Sequence, residues 1–205
     1  MHTDLKFVQS VLKLKEKTRY TILKVARYIF ARRGAENTTM DDVAKASGFG
    51  RRTLYTYFST RDDLYNEVIM SEVEGIIQKL DRVATMKISP DKKIVRFMKT
   101  HMKTVETLVL RYKVLRMDFL SRSERIENFR LKIDAHEKKC LATIFQEGTR
   151  YGIFMVDDFE NTAALTLTTL KGLERQFIID DFGIQSQAQL DLWEKILLRG
   201  INASV

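Results

Sequence analysis

Proline occurs once and glycine nine times in 205 residues. That is too little punctuation for a many-turned β fold, and it favours long uninterrupted helices. Cys140 is the single cysteine, which excludes an intrachain disulfide and points to a reducing cytoplasm. No apolar run approaches the roughly 20 residues needed to span a bilayer, so no membrane partner is expected. The opening Met-His-Thr-Asp-Leu-Lys-Phe-Val-Gln-Ser lacks the apolar centre of a signal peptide. Three histidines and one cysteine are a poor stock for a zinc site, and neither a metal nor a cofactor is expected. His136-Glu137-Lys138-Lys139-Cys140 has the outline of a metalloprotease helix, but cysteine stands where the second histidine is required. There is no glycine-rich phosphate loop and no Gly-x-Ser-x-Gly nucleophile turn. These absences argue against an enzyme.

What is present is charge, unevenly placed. The formal charge is +8. Residues 1–65 hold thirteen Lys/Arg against seven Asp/Glu, whereas the remaining 140 hold 22 against 20. A basic head on a near-neutral body suits a polyanion-binding segment joined to a different kind of domain. A solvated basic face would give the same totals, so charge alone leaves both readings open.

Helical signals follow one another along the chain. Ile22, Ala26, Ile29 and Phe30 recur at helical spacing in a helix from about Leu12 to Arg33, stopped by Gly34. Thr39 with Asp42 reads as a capping-box pair opening a short helix. Thr60 with Asp63 does the same for a long helix through Leu64, Val68, Val73, Ile76, Leu80 and Val83. Ser89-Pro90 opens another, proline being harmless at the first helical position. Further helices are expected over 90–108, 110–121 and 124–150. After a turn at Tyr151-Gly152, the last two are expected over Asp158–Asp180 and Ser186–Arg199, with Gln189 capping Ser186 and Gly200 as the stop. Nothing alternates like a strand. The chain reads as all-α with about nine helices, and its domains as 1–65 and 66–205.

The most informative stretch runs from Thr39 to Phe58. Two helices crossing steeply need a small residue at the contact, which Ala44 supplies. The turn needs a residue tolerant of positive φ, and Gly48 follows four residues later. Val43, Leu54 and Tyr57 or Phe58 supply apolar anchors. This ordered set is the pattern of a helix-turn-helix, here spanning residues 39–58. In such a motif the first residues of the second helix meet base edges in the major groove. Here those are Arg51 and Arg52, and arginine can grip guanine O6 and N7 with two hydrogen bonds. Thr53, Tyr55 and Tyr57 carry hydroxyls able to reach phosphate. Thr39 and Arg61 open helices whose exposed N–H groups favour phosphate.

With these residues in place, the stretch from about Thr18 to Leu64 resembles the DNA-binding domain of the TetR family of bacterial regulators. Ile22, Ala26, Phe30, Gly34, Thr39, Val43, Ala44, Ala46, Gly48, Thr53, Leu54, Tyr55, Tyr57, Phe58, Arg61 and Leu64 carry the resemblance. It implies an N-terminal three-helix DNA-binding domain and a larger C-terminal helical domain for effector binding and dimerisation. Carried across by position, Arg51, Arg52 and Thr56 would face bases, while Thr39, Thr53, Tyr55, Tyr57 and Arg61 would hold the backbone. Two positions depart from the family pattern. Gly50 stands where Ser or Thr is usual, and Arg52 where a small residue is common. Glycine still caps a helix at small cost, but it makes no side-chain contact with DNA.

The resemblance further implies a cytoplasmic homodimer, paired through the last two helices and bound to a palindromic double-stranded DNA operator. Ala164, Leu167, Leu170, Leu173, Phe177, Leu190, Trp193, Ile196 and Leu197 are the apolar candidates for the dimer face. A small apolar effector would sit among the middle helices, near Phe97, His101, Met102, Met117, Phe119, Phe145 and Met155, methionine being adaptable to varied ligands. Taken singly, each of these fits ordinary core equally well, and His101 fits a core or surface histidine better. A repressor released by its effector is the leading expectation. An activator of the same fold, or a helical protein-interaction domain with a basic head, stays open.

Overall fold

A computed structural model describes residues 2–112, 124–181 and 183–203. Among them are eight helices: α1 His2–Arg33, α2 Met40–Ser47, α3 Arg51–Tyr57, α4 Arg61–Ala84, α5 Pro90–Arg111, α6 Glu124–Arg150, α7 Phe159–Ile179 and α8 Ile184–Ile201. The helix expected over 110–121 falls mostly outside the described residues. The all-α expectation holds, with one isolated antiparallel bridge between Phe154 and Asn202. The chain divides into two compact units, Met1–Glu72 and Val73–Val205, and the division falls within α4.

Several helix ends differ from expectation, each for a local reason. α1 begins at His2 rather than Leu12, because no glycine or proline precedes Gly34 to stop it. Leu12 and Leu14 on its N-terminal half are exposed. Ser89 occupies the N-cap of α5 but makes no side-chain capping bond, leaving Pro90 as the start signal. Ser186 does not open α8: Gly183 is the N-cap, and Ser186 is buried in the first turn. Gly200 does not end that helix either. Asn202 does, and the chain around residue 201 is engaged by the segment before α7. Met155 N–H donates to Ile201 C=O at 2.7 Å, and Ala203 N–H donates to Ile153 C=O at 3.0 Å. The cap expected at Thr60 is present, and Asp158, at the expected start of α7, is its N-cap, accepting from Asn161 N–H at 2.9 Å.

The head unit packs Ile22, Ala26 and Phe30 of α1 against Val43 and Ala44 of α2, Leu54 of α3, and Leu64 and Tyr65 of α4, all buried. Phe30 and Tyr65 meet edge to face, ring centroids 5.3 Å apart. The body unit has a core that includes Ile94, Phe97 and Met98 from α5, Leu141, Ile144 and Phe145 from α6, and Leu170 from α7.

Inside that apolar core sits a charged cluster. His101 of α5 is buried between two carboxylates, with Nδ1 2.5 Å from Glu137 Oε1 and Nε2 3.0 Å from Glu174 Oε2. Lys171 Nζ lies 3.3 Å from Glu137, 3.3 Å from Glu174 and 2.9 Å from Asp134. Three helices are thereby tied at one point. Burial opposes the imidazolium, but the two carboxylates outweigh it and push His101 up to about 9. Burial likewise opposes the Glu174 carboxylate, and Lys171 with His101 brings it down to about 2. The folded chain therefore binds the His101 proton more tightly than the unfolded chain, whose imidazole titrates near 6.5. This contribution to stability is complete below that value and is lost as pH rises through about 9. Melting temperature recorded from pH 6 to 10 should fall between about 6.5 and 9 and level off above that. In His101→Gln the histidine-dependent fall should vanish, leaving a lower, flatter profile.

Candidate functional site

The head's surface geometry is built from its helix ends. Thr39 is extended, at φ −103°, and its Oγ1 accepts from Asp42 N–H at 3.1 Å. Asp42 Oδ2 accepts from Thr39 N–H at 2.9 Å, completing the expected capping box. The Thr39 hydroxyl and then its N–H hold the Asp42 carboxyl below the usual carboxylate range. Gly48 closes α2 in the left-handed region, at φ 73°, with its N–H directed at the carbonyls of Ala44 and Lys45. Gly50, extended, is the N-cap of α3 and makes no side-chain contact.

With α2 ended and α3 begun within three residues, burial decides which way α3 faces. Leu54 and Phe58 are buried, with Val43 and Ala44. Arg51, Arg52, Tyr55 and Thr56 are exposed, and Thr53 and Tyr57 are half-buried. Six of the sequence-predicted residues thus share one seven-residue helix. The other two stand at helix openings, Thr39 exposed before α2 and Arg61 half-buried as the first residue of α4. Arg61 lies 3.1 Å from Asp62 and 3.5 Å from Glu36. The Thr56 hydroxyl donates to Arg52 C=O at 2.9 Å.

Arg51 carries a partner that sequence reading missed. Its Nε is 2.5 Å from Asp41 Oδ1, with the Arg51 side chain largely exposed. An exposed pair of this kind contributes about 0–1 kcal/mol, so it holds the guanidinium in place without committing it. The available signal was Asp41 itself, an acid in the first turn of α2, overshadowed by the capping role of Asp42.

The body distributes its expected effector residues differently. Phe97, His101, Met102 and Phe145 are all buried, whereas Met155 is 71% exposed and cannot belong to an apolar interior. Met117 and Phe119 lie outside the described residues. Phe145 packs against Phe154, centroids 6.1 Å apart. Met102 borders a cleft of about 390 Å³ with Phe177 and Leu190. The larger cleft, about 930 Å³, lies along the end of α4 and one face of α5. It has apolar walls such as Val83, Met86 and Val95, and carries Lys79, Arg82, Lys92, Arg96, Lys99 and Lys103 against the single acid Asp91. This basic cleft was not anticipated, although Lys92, Arg96, Lys99 and Lys103 recur at helical spacing that marks a single face.

Comparisons agree with the head's geometry. Residues 22–68 match the tetR family of bacterial regulatory proteins. The HTH-type transcriptional regulator YfiR of Bacillus subtilis is 39% identical over 70 residues, which cover 34% of this chain and 34% of YfiR. AcrR of Shigella flexneri is 36% identical over 53 residues, 26% of this chain and 25% of AcrR. The aligned stretches thus span only a quarter to a third of these relatives. Over the longer range, a transcriptional regulator of the TetR/AcrR family from Thermobifida fusca superposes with a TM-score of 0.67 at 25% identity, covering 89% of this chain and 97% of that one. A transcriptional regulator from Cytophaga hutchinsonii shares the fold, with a TM-score of 0.75 at 21% identity over 88% and 96% of the two chains.

A Cβ built on Gly48 would meet nothing within 4 Å, so only its positive φ demands glycine. Gly48→Ala should therefore lower stability by about 1–2 kcal/mol, the left-handed strain alone, measured by urea unfolding. A near-zero effect would show that the turn does not depend on this residue.

Proposed function

We propose that this chain, whose residues 22–68 belong to the tetR family of bacterial regulatory proteins, is a cytoplasmic transcriptional repressor that binds a palindromic operator as a homodimer. The observation that carries the reading is α3, held by Leu54 and Phe58 and presenting Arg51, Arg52, Tyr55 and Thr56 outward. Residues 1–65 form the DNA-binding domain and 66–205 the effector and dimerisation domain. Arg51 and Arg52 read bases with Thr56, and Thr39, Thr53, Tyr55, Tyr57 and Arg61 grip the backbone. With Gly50 making no side-chain contact, base reading falls mainly on the two arginines, and each half-site contains G·C pairs. On binding DNA, Arg51 exchanges Asp41 for a guanine edge.

Dimerisation uses faces of α7 and α8 that the monomer leaves uncovered. Leu167, Leu170, Phe177, Leu190 and Leu197, expected at the interface, are buried within the chain, which removes them from the face. Ile196, also expected there, stays 54% exposed, and Leu165 (70%) and Leu192 (58%) join it. Half-buried Trp193, whose indole N–H has no hydrogen-bond partner among the described residues, lies beside them. Apolar side chains exposed together on neighbouring helices favour a partner surface. The effector enters the body and shifts the population of head spacings away from the operator's, half-sites lying about one DNA turn, or a multiple, apart. Helix α4, which contributes to both units, is the covalent route for that shift. The basic cleft supports an effector with an acidic group as well as an apolar part.

Selection from a randomised duplex pool should enrich an inverted repeat containing guanine in each half. Arg51→Ala should then cost about 1–3 kcal/mol and relax preference at one base position. Uniform binding to every duplex would sink the reading and favour a basic interaction module. Sedimentation should show a dimer for the native chain and a monomer for Leu192→Glu/Ile196→Glu, with helical content retained. A native chain that runs as a monomer would remove this interface.

A further inference from the structure

Cys140, passed over as the wrong residue for a paired-histidine motif, belongs to a compact three-residue cluster in the body. His136 and Cys140 are four apart on α6, which places both on one face of that helix. Asp81 of α4 faces them. His136 Nε2 is 2.8 Å from Asp81 Oδ1, and Cys140 Sγ is 3.8 Å from the same oxygen. One ligand atom from each residue lies within 4.8 Å of the other two. Metal–nitrogen and metal–oxygen bonds near 2.0–2.2 Å and a metal–sulfur bond near 2.3 Å put neighbouring ligands of a tetrahedral ion about 3–4 Å apart. The observed spacing needs only small side-chain adjustments to reach that.

We propose that Asp81, His136 and Cys140 form a binding site for a divalent transition-metal ion, zinc being the ion that suits it best. Imidazole and thiolate select a borderline or soft cation over magnesium or calcium, which prefer all-oxygen shells. Charge agrees with this choice, since one carboxylate and one thiolate neutralise a divalent ion at a partly buried place. Binding displaces the thiol proton to solvent, and the sulfur takes the metal in its place. Cys140 is buried, His136 is half-buried and Asp81 is exposed, so the site has an inner soft ligand and an open outer side. Water fills the fourth position from that side. The ion ties the last turn of α4 to the middle of α6, adding to the His136–Asp81 hydrogen bond and the weak Cys140 thiol contact there.

Cobalt(II) added to the tag-free chain tests this, because a cobalt–thiolate bond absorbs in the near ultraviolet and tetrahedral cobalt absorbs strongly in the visible. One cobalt per chain should give both signatures, and zinc should abolish them by competition. Cys140→Ser should lose the near-ultraviolet band. His136→Ala should weaken binding by at least the roughly 10–100-fold seen when even a supporting partner of a ligand is removed. His2→Ala, elsewhere in the chain, should change nothing. Circular dichroism of each variant separates ligand loss from unfolding, and zinc should raise the melting temperature of the native chain but not of His136→Ala/Cys140→Ser. Absence of the thiolate band at excess cobalt overturns the site. So does a band that survives His136→Ala at full strength, which would reduce it to a lone reactive thiol.

Discussion

The head depends on one backbone constraint, the left-handed residue that lets α2 stop and α3 begin almost at once. Gly48 at φ 73° turns the chain while its own N–H satisfies carbonyls at the end of α2. Gly50 follows in an extended conformation and caps α3. Helix α3 is only seven residues long, too short to be stable by itself. Its existence and its rotation both come from Leu54 and Phe58, buried against the rest of the head. Once those two residues are fixed inward, helical periodicity leaves Arg51, Arg52, Tyr55 and Thr56 outward. The exposed face of α3 follows from the turn and the anchors, and its side chains contribute chemistry without contributing to the fold.

The body is held by a different kind of interaction. His101 joins Glu137 and Glu174, and Lys171 adds two further ion pairs to the same carboxylates, so α5, α6 and α7 meet through charge inside an apolar core. Buried pairs recover their desolvation cost only when geometry is good on both sides, and removing one member leaves the rest uncompensated. The cluster therefore acts less as a source of net stability than as a register mark. Helices with interchangeable leucine faces could slide past one another, but these four charged groups come into ion-pair distance in this one arrangement.

How much of this was legible in the sequence depends on the range of the interaction. Caps, stops and turns at Thr39, Gly48, Thr60 and Gly152 were readable because each is settled by residues three or four apart. The outward set on α3 was readable for the same reason. Where a distant segment decides, the reading failed: α8 runs past Gly200 because residues 153–155 engage its end. The apolar residues of α7 and α8 could be recognised as faces, but sequence could not say which face the monomer would cover. Leu167 and Leu170 went inside while Leu165 stayed out. Asp41 and Arg51, ten residues apart, meet across the turn, and Asp81 meets His136 from 55 residues away. The first leaves only an acid in the opening turn of α2 as a trace, and the second leaves none.

The same limit explains why near-neutrality of the body was misleading. With 22 Lys/Arg against 20 Asp/Glu beyond residue 65, the total suggests an evenly mixed surface. Folding sorts those charges instead. Glu137 and Glu174 go into the core with His101, and buried Glu194 is turned toward Lys99. Glu137 and Glu174, withdrawn in this way, no longer screen the outer face of α5, where Lys92, Arg96, Lys99 and Lys103 line the large cleft with Lys79 and Arg82. Part of that positive field is internally balanced, since Lys99 reaches Asp191 and Glu194 and Lys103 reaches Glu106. Those neighbours leave Lys79, Arg82, Lys92 and Arg96 toward the α4 end of the cleft, beside Met86 and Val83. A body whose sum is close to zero thus carries a predominantly basic, partly apolar recess with Asp91 as its one acid among the described residues, and an amphipathic anion fits that chemistry better than the purely apolar molecule that its methionines suggested.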